Sequence, residues 1–267
     1  MRVLVATAVP AERDAVARAF QGTARLLERV PGVGAEPGWV ARPGADGAPP
    51  APTRAAPGGT HARSLSGVAG VDVDLLAVGV GPALAAAATA TALASAALSG
   101  VPYSLVVSAG IAGGFVPHAP VGSLVVADEI VVADLGAETA DGFLPVTELG
   151  FGVVSHRPPD ALVREAVAAT GARSGAVLTV STVTGSAERA ATLRHRHPTA
   201  LAEAMEGFGV AEAAVLHGVP VMEVRAVSNP VGPRDRAAWR IGDALDALTE
   251  GFGKLGPVLT GWNPHDS

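Results

Sequence analysis

Residues 71–114 read VDVDLLAVGV GPALAAAATA TALASAALSG VPYSLVVSAG IAGG. The stretch divides into a mostly apolar run from Val71 to Val80 with Asp72 and Asp74 near its start, a Gly81-Pro82 break, an alanine-rich run from Pro82 to Leu98, and a second apolar run from Tyr103 to Ala109. Short apolar runs bounded by Gly and Pro read as buried strands, and Pro is well placed in a first helical turn. The spacing predicts a strand, a helix and a strand, with small side chains that let the helix pack tightly on a sheet. Strands that are apolar throughout belong to sheets covered on both faces. No Asp, Glu, Lys or Arg occurs from Leu75 to Ala127, so a membrane span competes for this segment. Alanine adds little to bilayer insertion beside Leu or Phe, and three glycine-containing breaks interrupt the run, so the buried unit fits better.

The same pattern extends in both directions. Arg2 to Ala8 predicts a buried strand, and Pro10 opens a helix over about Ala11 to Phe20. Downstream, strands are expected at Val121 to Val132, Ala176 to Val183 and Pro220 to Ser228. Helices are expected at Ala161 to Thr170, Ala187 to His195 and Glu203 to His217, with a last one inside Asp235 to Gly253. The alternation predicts an α/β single domain over 1–267 with a mixed, mostly parallel sheet. Pro31 to Gly67 holds seven prolines and eight glycines and reads as a flexible insertion.

Composition narrows the function. Of 267 residues, 49% are hydrophobic and 16% charged, enough apolar surface for a sizeable core. The net charge is −6 and Lys254 is the only lysine, which disfavours a nucleic-acid surface. With no cysteine, thiolate nucleophiles, disulfides and Cys-ligated metals are excluded. The opening Met1-Arg2-Val3-Leu4 run meets Pro10 and Glu12 too early for a secretory segment, so a cytoplasmic protein is expected.

Ligands of α/β sheets sit beyond the carboxyl ends of strands, and four such ends stand out. Glu12 lies one helical turn after the first strand; alone, it could equally be a surface acid at a helix start. Ser108-Ala109-Gly110-Ile111-Ala112-Gly113-Gly114 is either a tight turn or a place where a ligand approaches backbone closely. It has neither dinucleotide-fingerprint spacing nor a P-loop lysine. Glu206 enters an apolar helix; it is either an exposed helix-start acid or a carboxylate accepting from two hydroxyls of a polyol. Asn229, ending a strand before Pro230, is either an Asn-Pro turn or a planar donor–acceptor aimed at a ligand.

Together these segments, in the order Val9-Pro10-Ala11-Glu12, Gly79-Val80-Gly81, Ser108–Gly114, Val180–Ser186, Met205-Glu206 and Arg225–Asn229, resemble the purine nucleoside phosphorylase / nucleosidase superfamily. The likeness is to the branch with methylthioadenosine/S-adenosylhomocysteine nucleosidase, and within it to the futalosine hydrolase family of menaquinone biosynthesis. It covers Met1–Gly22 and about Val71–Gly253, and residues 133–152 look like its futalosine-specific part. The resemblance implies a three-layer sandwich and hydrolysis of an N-glycosidic bond, releasing hypoxanthine and dehypoxanthine futalosine. It implies Glu12 as the base that activates water, Glu206 as the ribose clamp with Met205 under the sugar, and Asn229 at the leaving base. Asp235 is a second candidate for protonating that base. Ser108, Ala109, Gly110, Thr182 and Val183 are implied as substrate-binding, and Phe151 as a contact to the 5′ substituent. Adenine-releasing relatives carry aspartate where Asn229 stands; an amide can donate to O6 of a 6-oxopurine while accepting from N7–H. The resemblance further implies a homo-oligomer acting on a small nucleoside and water, with no cofactor, metal, nucleic acid or membrane. The uncharged Thr7–Pro10 turn favours water over phosphate as the acceptor. A phosphate-dependent nucleoside phosphorylase and a non-catalytic nucleoside-binding protein are the alternatives.

Overall fold

The computed structural model describes residues 1–20, 25–26 and 71–263. The Pro31 to Gly67 segment lies outside the described residues. The first strand, β1 (Arg2–Thr7), is buried from Val3 onward. It leads through Ala8 and Val9 into α1 (Pro10–Ala19), which Pro10 opens. After β2 (Arg25–Leu26) comes the unit that decided the fold: β3 (Asp72–Ala77), α2 (Pro82–Leu98) and β4 (Leu105–Gly114). Then follow β5 (Leu124–Val132), a two-stranded hairpin of β6 (Gly136–Thr139) and β7 (Gly142–Pro145), and β8 (Ser155–His156). The chain continues with α3 (Asp160–Thr170), β9 (Arg173–Thr179), α4 (Ala187–Arg196) and β10 (Ala200–Ala204). It ends with α5 (Gly207–Leu216), β11 (Val221–Pro230), a short 3-10 turn at Arg236–Ala238 and α6 (Ile241–Gly261).

The large sheet runs β10-β9-β5-β11-β4-β1-β3-β2, with β8 added on β5. Most pairings are parallel; β11 with β5, β5 with β8 and β10 with β4 are antiparallel. Because β10 also reaches β4, the strands β4, β11, β5, β9 and β10 close into a ring at one end of the sheet. Helices cover both faces. Ala85, Ala88, Ala92 and Ala96 of α2 and Val210, Ala211 and Ala214 of α5 pack with Leu4, Ala6 and Val106 on one face. The other holds Val16 of α1, Leu162 of α3 and Leu248, Phe252 and Leu255 of α6 against Val3, Val5, Leu105 and Val107. Buried Asp74 ties the first strands together, accepting from Arg2 Nε at 2.9 Å and from the Tyr103 hydroxyl at 2.7 Å.

Two expectations about local structure are corrected. The Ser108–Gly114 segment is not a turn: β4 runs through it to Gly114, paired with β11 on one side along Ser108–Gly114 and with β10 at Gly113 and Gly114. Glycines weaken an isolated strand, but backbone pairing on both sides holds this one extended. The helix expected from Glu203 starts later, at Gly207. Glu203 itself belongs to β10, a five-residue strand too short to show a period, which the sheet recruits between β9 and β4.

Candidate functional site

Strand alternation puts Ser108 and Gly110 of β4 and Glu223 and Arg225 of β11 on one face, since Ser108 pairs with Glu223 and Gly110 with Arg225. Arg225 is 1% exposed and its strand neighbours are Val224 and Ala226, both wholly buried, so its charge must be answered locally. Its Nε donates to Glu223 Oε1 at 2.8 Å and its Nη2 to Ser108 Oγ at 3.2 Å. Its Nη1 lies 3.6 Å from Glu206 Oε2. Burial alone would lower the Arg225 pKa; Glu223, Glu206 and Glu12 outweigh it and raise the value, keeping the guanidinium charged.

Glu12 reaches this cluster from the first turn of α1. Its Oε2 accepts from the Ala8 and Val9 N–H groups at 2.9 and 3.2 Å, satisfying donors a helix start leaves free. Its Oε1 accepts from Ile111 N–H at 2.9 Å. The carboxyl is buried, and that burial raises its pKa above the ordinary 4.5, opposed by Arg225 and the Ile111 hydrogen bond. Gly110 is what allows the meeting: a Cβ there would stand 2.6 Å from Glu12 Oε1 and 2.8 Å from Arg225 Nη1. Glu206 is the residue before the first turn of α5. Its Oε1 accepts from Gly81 N–H at 3.2 Å, the glycine that precedes α2, and its Oε2 from Met205 N–H at 3.3 Å. Glu12, Glu206 and Arg225 are thus gathered from α1, the start of α5 and β11 around Gly110 of β4, one residue past the end of its pairing with β1.

Asn229 stands farther along β11, beside Gly113 of β4. Its Oδ1 accepts from Ser228 Oγ at 2.8 Å and its Nδ2 donates to Pro230 O at 2.9 Å. It lines a cleft with Gly113, Val183, Thr184, Glu203 and Trp239, whose lining does not include Glu12 or Glu206. Only two residues of β4, Ile111 and Ala112, separate Gly110 under the acid cluster from Gly113 under the cleft.

The remaining sequence candidates divide. Gly110 lies in the cluster, and Ser108 lies beneath it as a hydrogen-bond partner of Arg225. Ala109 points to the opposite face and is buried in the core under α6, so its side chain is turned away from the cluster. Met205 is half-buried beside Glu206, Thr182 is exposed, and Val183 lines the Asn229 cleft. Asp235 is exposed and accepts from Ala237 N–H at 3.1 Å, an end cap for the 3-10 turn. Phe151 is 64% exposed in the loop after the β6–β7 hairpin, outside the cluster. That hairpin is anchored near the Thr182 loop: Arg196 stacks on Phe143 at 4.4 Å, and Asp134 accepts from Ser181 N–H at 2.7 Å. Among the described residues no group of His, Cys, Asp and Glu has the arrangement of a metal site.

Sequence reading gave no role to Arg225, Glu223 or Glu203. The signal for the first two was present: an acid and a base two residues apart, hence on one face, in a strand otherwise apolar.

Comparison with known proteins places these residues in context. Residues 41–255 match the family model of the phosphorylase superfamily. The chain is 65% identical over 266 residues to a futalosine hydrolase of Streptomyces coelicolor, covering all of both chains. It is 47% identical over 159 residues to a futalosine hydrolase of Acidothermus cellulolyticus, spanning 58% of this chain and 65% of that one. In three dimensions it resembles a 5′-methylthioadenosine/S-adenosylhomocysteine nucleosidase of Neisseria meningitidis in complex with methylthio-immucillin-A, with TM-score 0.68 and 17% identity over 98% of this chain and 99% of that one. It also resembles a futalosine hydrolase mutant of Helicobacter pylori, with TM-score 0.67 and 15% identity over 96% and 99% of the two chains.

Proposed function

The chain belongs to the phosphorylase superfamily, and from that membership, with end-to-end identity to a futalosine hydrolase, we propose that it hydrolyses the N-glycosidic bond of futalosine and releases hypoxanthine. It is an N-glycosyl hydrolase, and futalosine ties it to menaquinone biosynthesis. The observation that carries the reading is the meeting of Glu12 and Glu206 at Arg225 over Gly110. As the base departs, the ribosyl carbon gains positive charge, and two carboxylates on its path favour that charge. Glu12 orients a water molecule and takes its proton, a task worth about 10²–10⁴-fold in rate. Glu206 accepts from the ribose hydroxyls, and Met205 packs beneath the sugar. Arg225 positions both acids and holds them apart from each other's repulsion. Asn229 meets the leaving 6-oxopurine.

Water, not phosphate, fits this arrangement as the acceptor. Arg225 is committed to three carboxylates, and Arg13 pairs with Asp14 at 3.1 Å. An anion entering beside Glu12 and Glu206 would meet like charge. Ser108 acts through Arg225, while Gly110, Thr182, Val183 and Phe151 border the substrate path. The reading extends to a single-domain, three-layer fold over 1–267, supported by helices on both faces of the sheet, with the 31–67 segment as an insertion. It also includes cytoplasmic action, without cofactor, as a homo-oligomer. Among the described residues no helix is long and apolar enough to cross a membrane. Leu98 and Leu216, at the ends of α2 and α5, offer apolar surface for self-association at 90% and 81% exposure.

The test is hypoxanthine release from futalosine by the purified protein, with and without phosphate. Release at the same rate in phosphate-free buffer is expected. A strict phosphate requirement selects the phosphorylase, and tight nucleoside binding without turnover selects a binding protein.

A further inference from the structure

Glu223 has no task in the chemistry above, yet it is wholly buried and lies two residues before Arg225, on the same face of β11. Its Oε1 accepts from Arg225 Nε at 2.8 Å. Arg225 Nη2 donates to Ser108 Oγ at 3.2 Å, and Ser108 is the residue that Glu223 faces in the β4 register. A guanidinium is planar, so bonds at Nε and Nη2 fix its orientation. Nη1 is then the corner left to face Glu206, 3.6 Å from its Oε2, beside Gly110, where no side chain intervenes.

The Glu223 carboxyl also reaches the start of α5. A Cβ at Gly207 would collide with both of its oxygens, so only glycine lets the acid lie against the residue that follows Glu206. Its Oε2 is buried without a hydrogen-bond partner among the described residues. Arg225 already faces two acids, and a third buried carboxylate adds a desolvation cost that attraction offsets only in part. Stability alone does not call for it. The charged groups that face the guanidinium are Glu223 from β11 itself, Glu206 from the start of α5 and Glu12 from α1; β4 contributes Ser108 and Gly110, which carry no charge. Burial pushes the Glu223 carboxyl up, Arg225 holds it down, and Glu206 pushes it up again. Arg225 also pulls Glu12 down, against the effect of its burial. Whatever part of the guanidinium charge Glu223 neutralises no longer acts on Glu12.

We propose that Glu223 is a positioning residue: it orients Arg225 through Nε and neutralises part of its charge, leaving Glu12 free to act as base on water. The assignment rests on the nucleosidase reading and deepens it. Glu223 touches neither sugar nor base and acts through Arg225 alone.

The pH profile of futalosine hydrolysis tests this. Glu223→Gln keeps the length of the side chain and an oxygen for Arg225 Nε, and removes the charge. The acid limb of kcat/KM should move to lower pH by about one unit, because a cation left uncompensated lowers a nearby carboxyl. The plateau above the limb should fall roughly three- to tenfold, as proton transfer to a weaker base is slower. The loss should sit in kcat, with KM within about twofold of wild type. A merely structural role lowers activity equally at every pH, so a limb that stays in place or moves up overturns the proposal. Glu223→Asp keeps the charge and should move the limb by less than half as much; a larger movement overturns it too. Should Glu223→Gln fail to fold, Glu223→Met removes the same charge without burying an amide, and the same limb movement is expected. Failure of both to fold makes Glu223 structural and overturns the proposal. Absence of futalosine turnover by wild-type protein sinks the nucleosidase reading itself, whereas turnover with an unmoved limb in the variant sinks only the role of Glu223.

Discussion

Gly110 and Gly113 lie on the same strand, but the groups gathered over them are built differently. Over Gly110, three carboxylates surround one buried guanidinium, and backbone N–H groups and the Ser108 hydroxyl complete their hydrogen bonds. Over Gly113, Asn229 is half-buried, the walls are Val183 and Trp239, and the cleft opens toward solvent. The first arrangement is fixed before any ligand arrives, as electrostatic stabilisation of a developing cation requires. The second keeps donors and acceptors in reserve, as recognition of one base among several requires. The proposed function thus assigns reaction and selection to separate groups along one strand.

Breaking the first group should have the largest effect. Arg225→Met leaves Glu223, which is wholly buried, without its partner. Losing one member of a buried ion pair costs about 3–5 kcal/mol. Urea denaturation at neutral pH should show a loss of that size together with the loss of hydrolysis; a loss under about 1 kcal/mol would mean that the charges are not coupled. Glu12→Gln comes next: kcat/KM for futalosine should fall about 10²–10⁴-fold while the protein stays folded. A fall of less than tenfold would remove Glu12 from the water-activating role.

The other group answers to different readouts. Asn229→Asp should move preference from 6-oxopurine toward 6-aminopurine nucleosides by about 10²-fold in the ratio of kcat/KM values, leaving Arg225 and its acids intact. Equal losses on both nucleosides would show that Asn229 supports structure rather than selection.

The pH profile sharpens the contrast more gently. Burial raises the Glu12 pKa above 4.5, and only the ionised form can take a proton from water. The acid limb of kcat/KM should therefore fall above pH 4.5, losing about tenfold for each unit below the raised value. The stability contribution has the same window. A raised carboxyl favours the folded state below the unfolded pKa, and that benefit is lost as pH rises through the folded one. An acid limb below pH 4.5 would place the titrating base elsewhere. Smallest of all, Asp235→Asn should leave kcat/KM within about twofold, since Asn caps a helical turn as well as Asp does. A larger drop would return Asp235 to the leaving-group side of the site.

Much of this was legible in the residues. Apolar runs and their Gly-Pro punctuation gave β1 and α2 almost to the residue, and β3 with an end three residues too late. Glu12, Glu206 and Asn229 were visible as polar residues at strand ends and helix starts. β4 was cut short because its last residues are small and glycine-rich, and their extended state depends on neighbours far away in sequence. β10 was merged into a helix because five residues carry no readable period. Glu203 went unnoticed for the same reason: its place beside Gly113 comes from a register that no local pattern encodes.

The pairing of β10 with β4 has one more consequence. A closed loop of strands leaves no free border between β10 and β4, so Gly113 and Gly114 are held by backbone pairing on both sides. The Thr182–Val183 turn and the β6–β7 hairpin with Phe151 beyond it lie outside that ring, so the proposed function leaves passage of substrate and product to them.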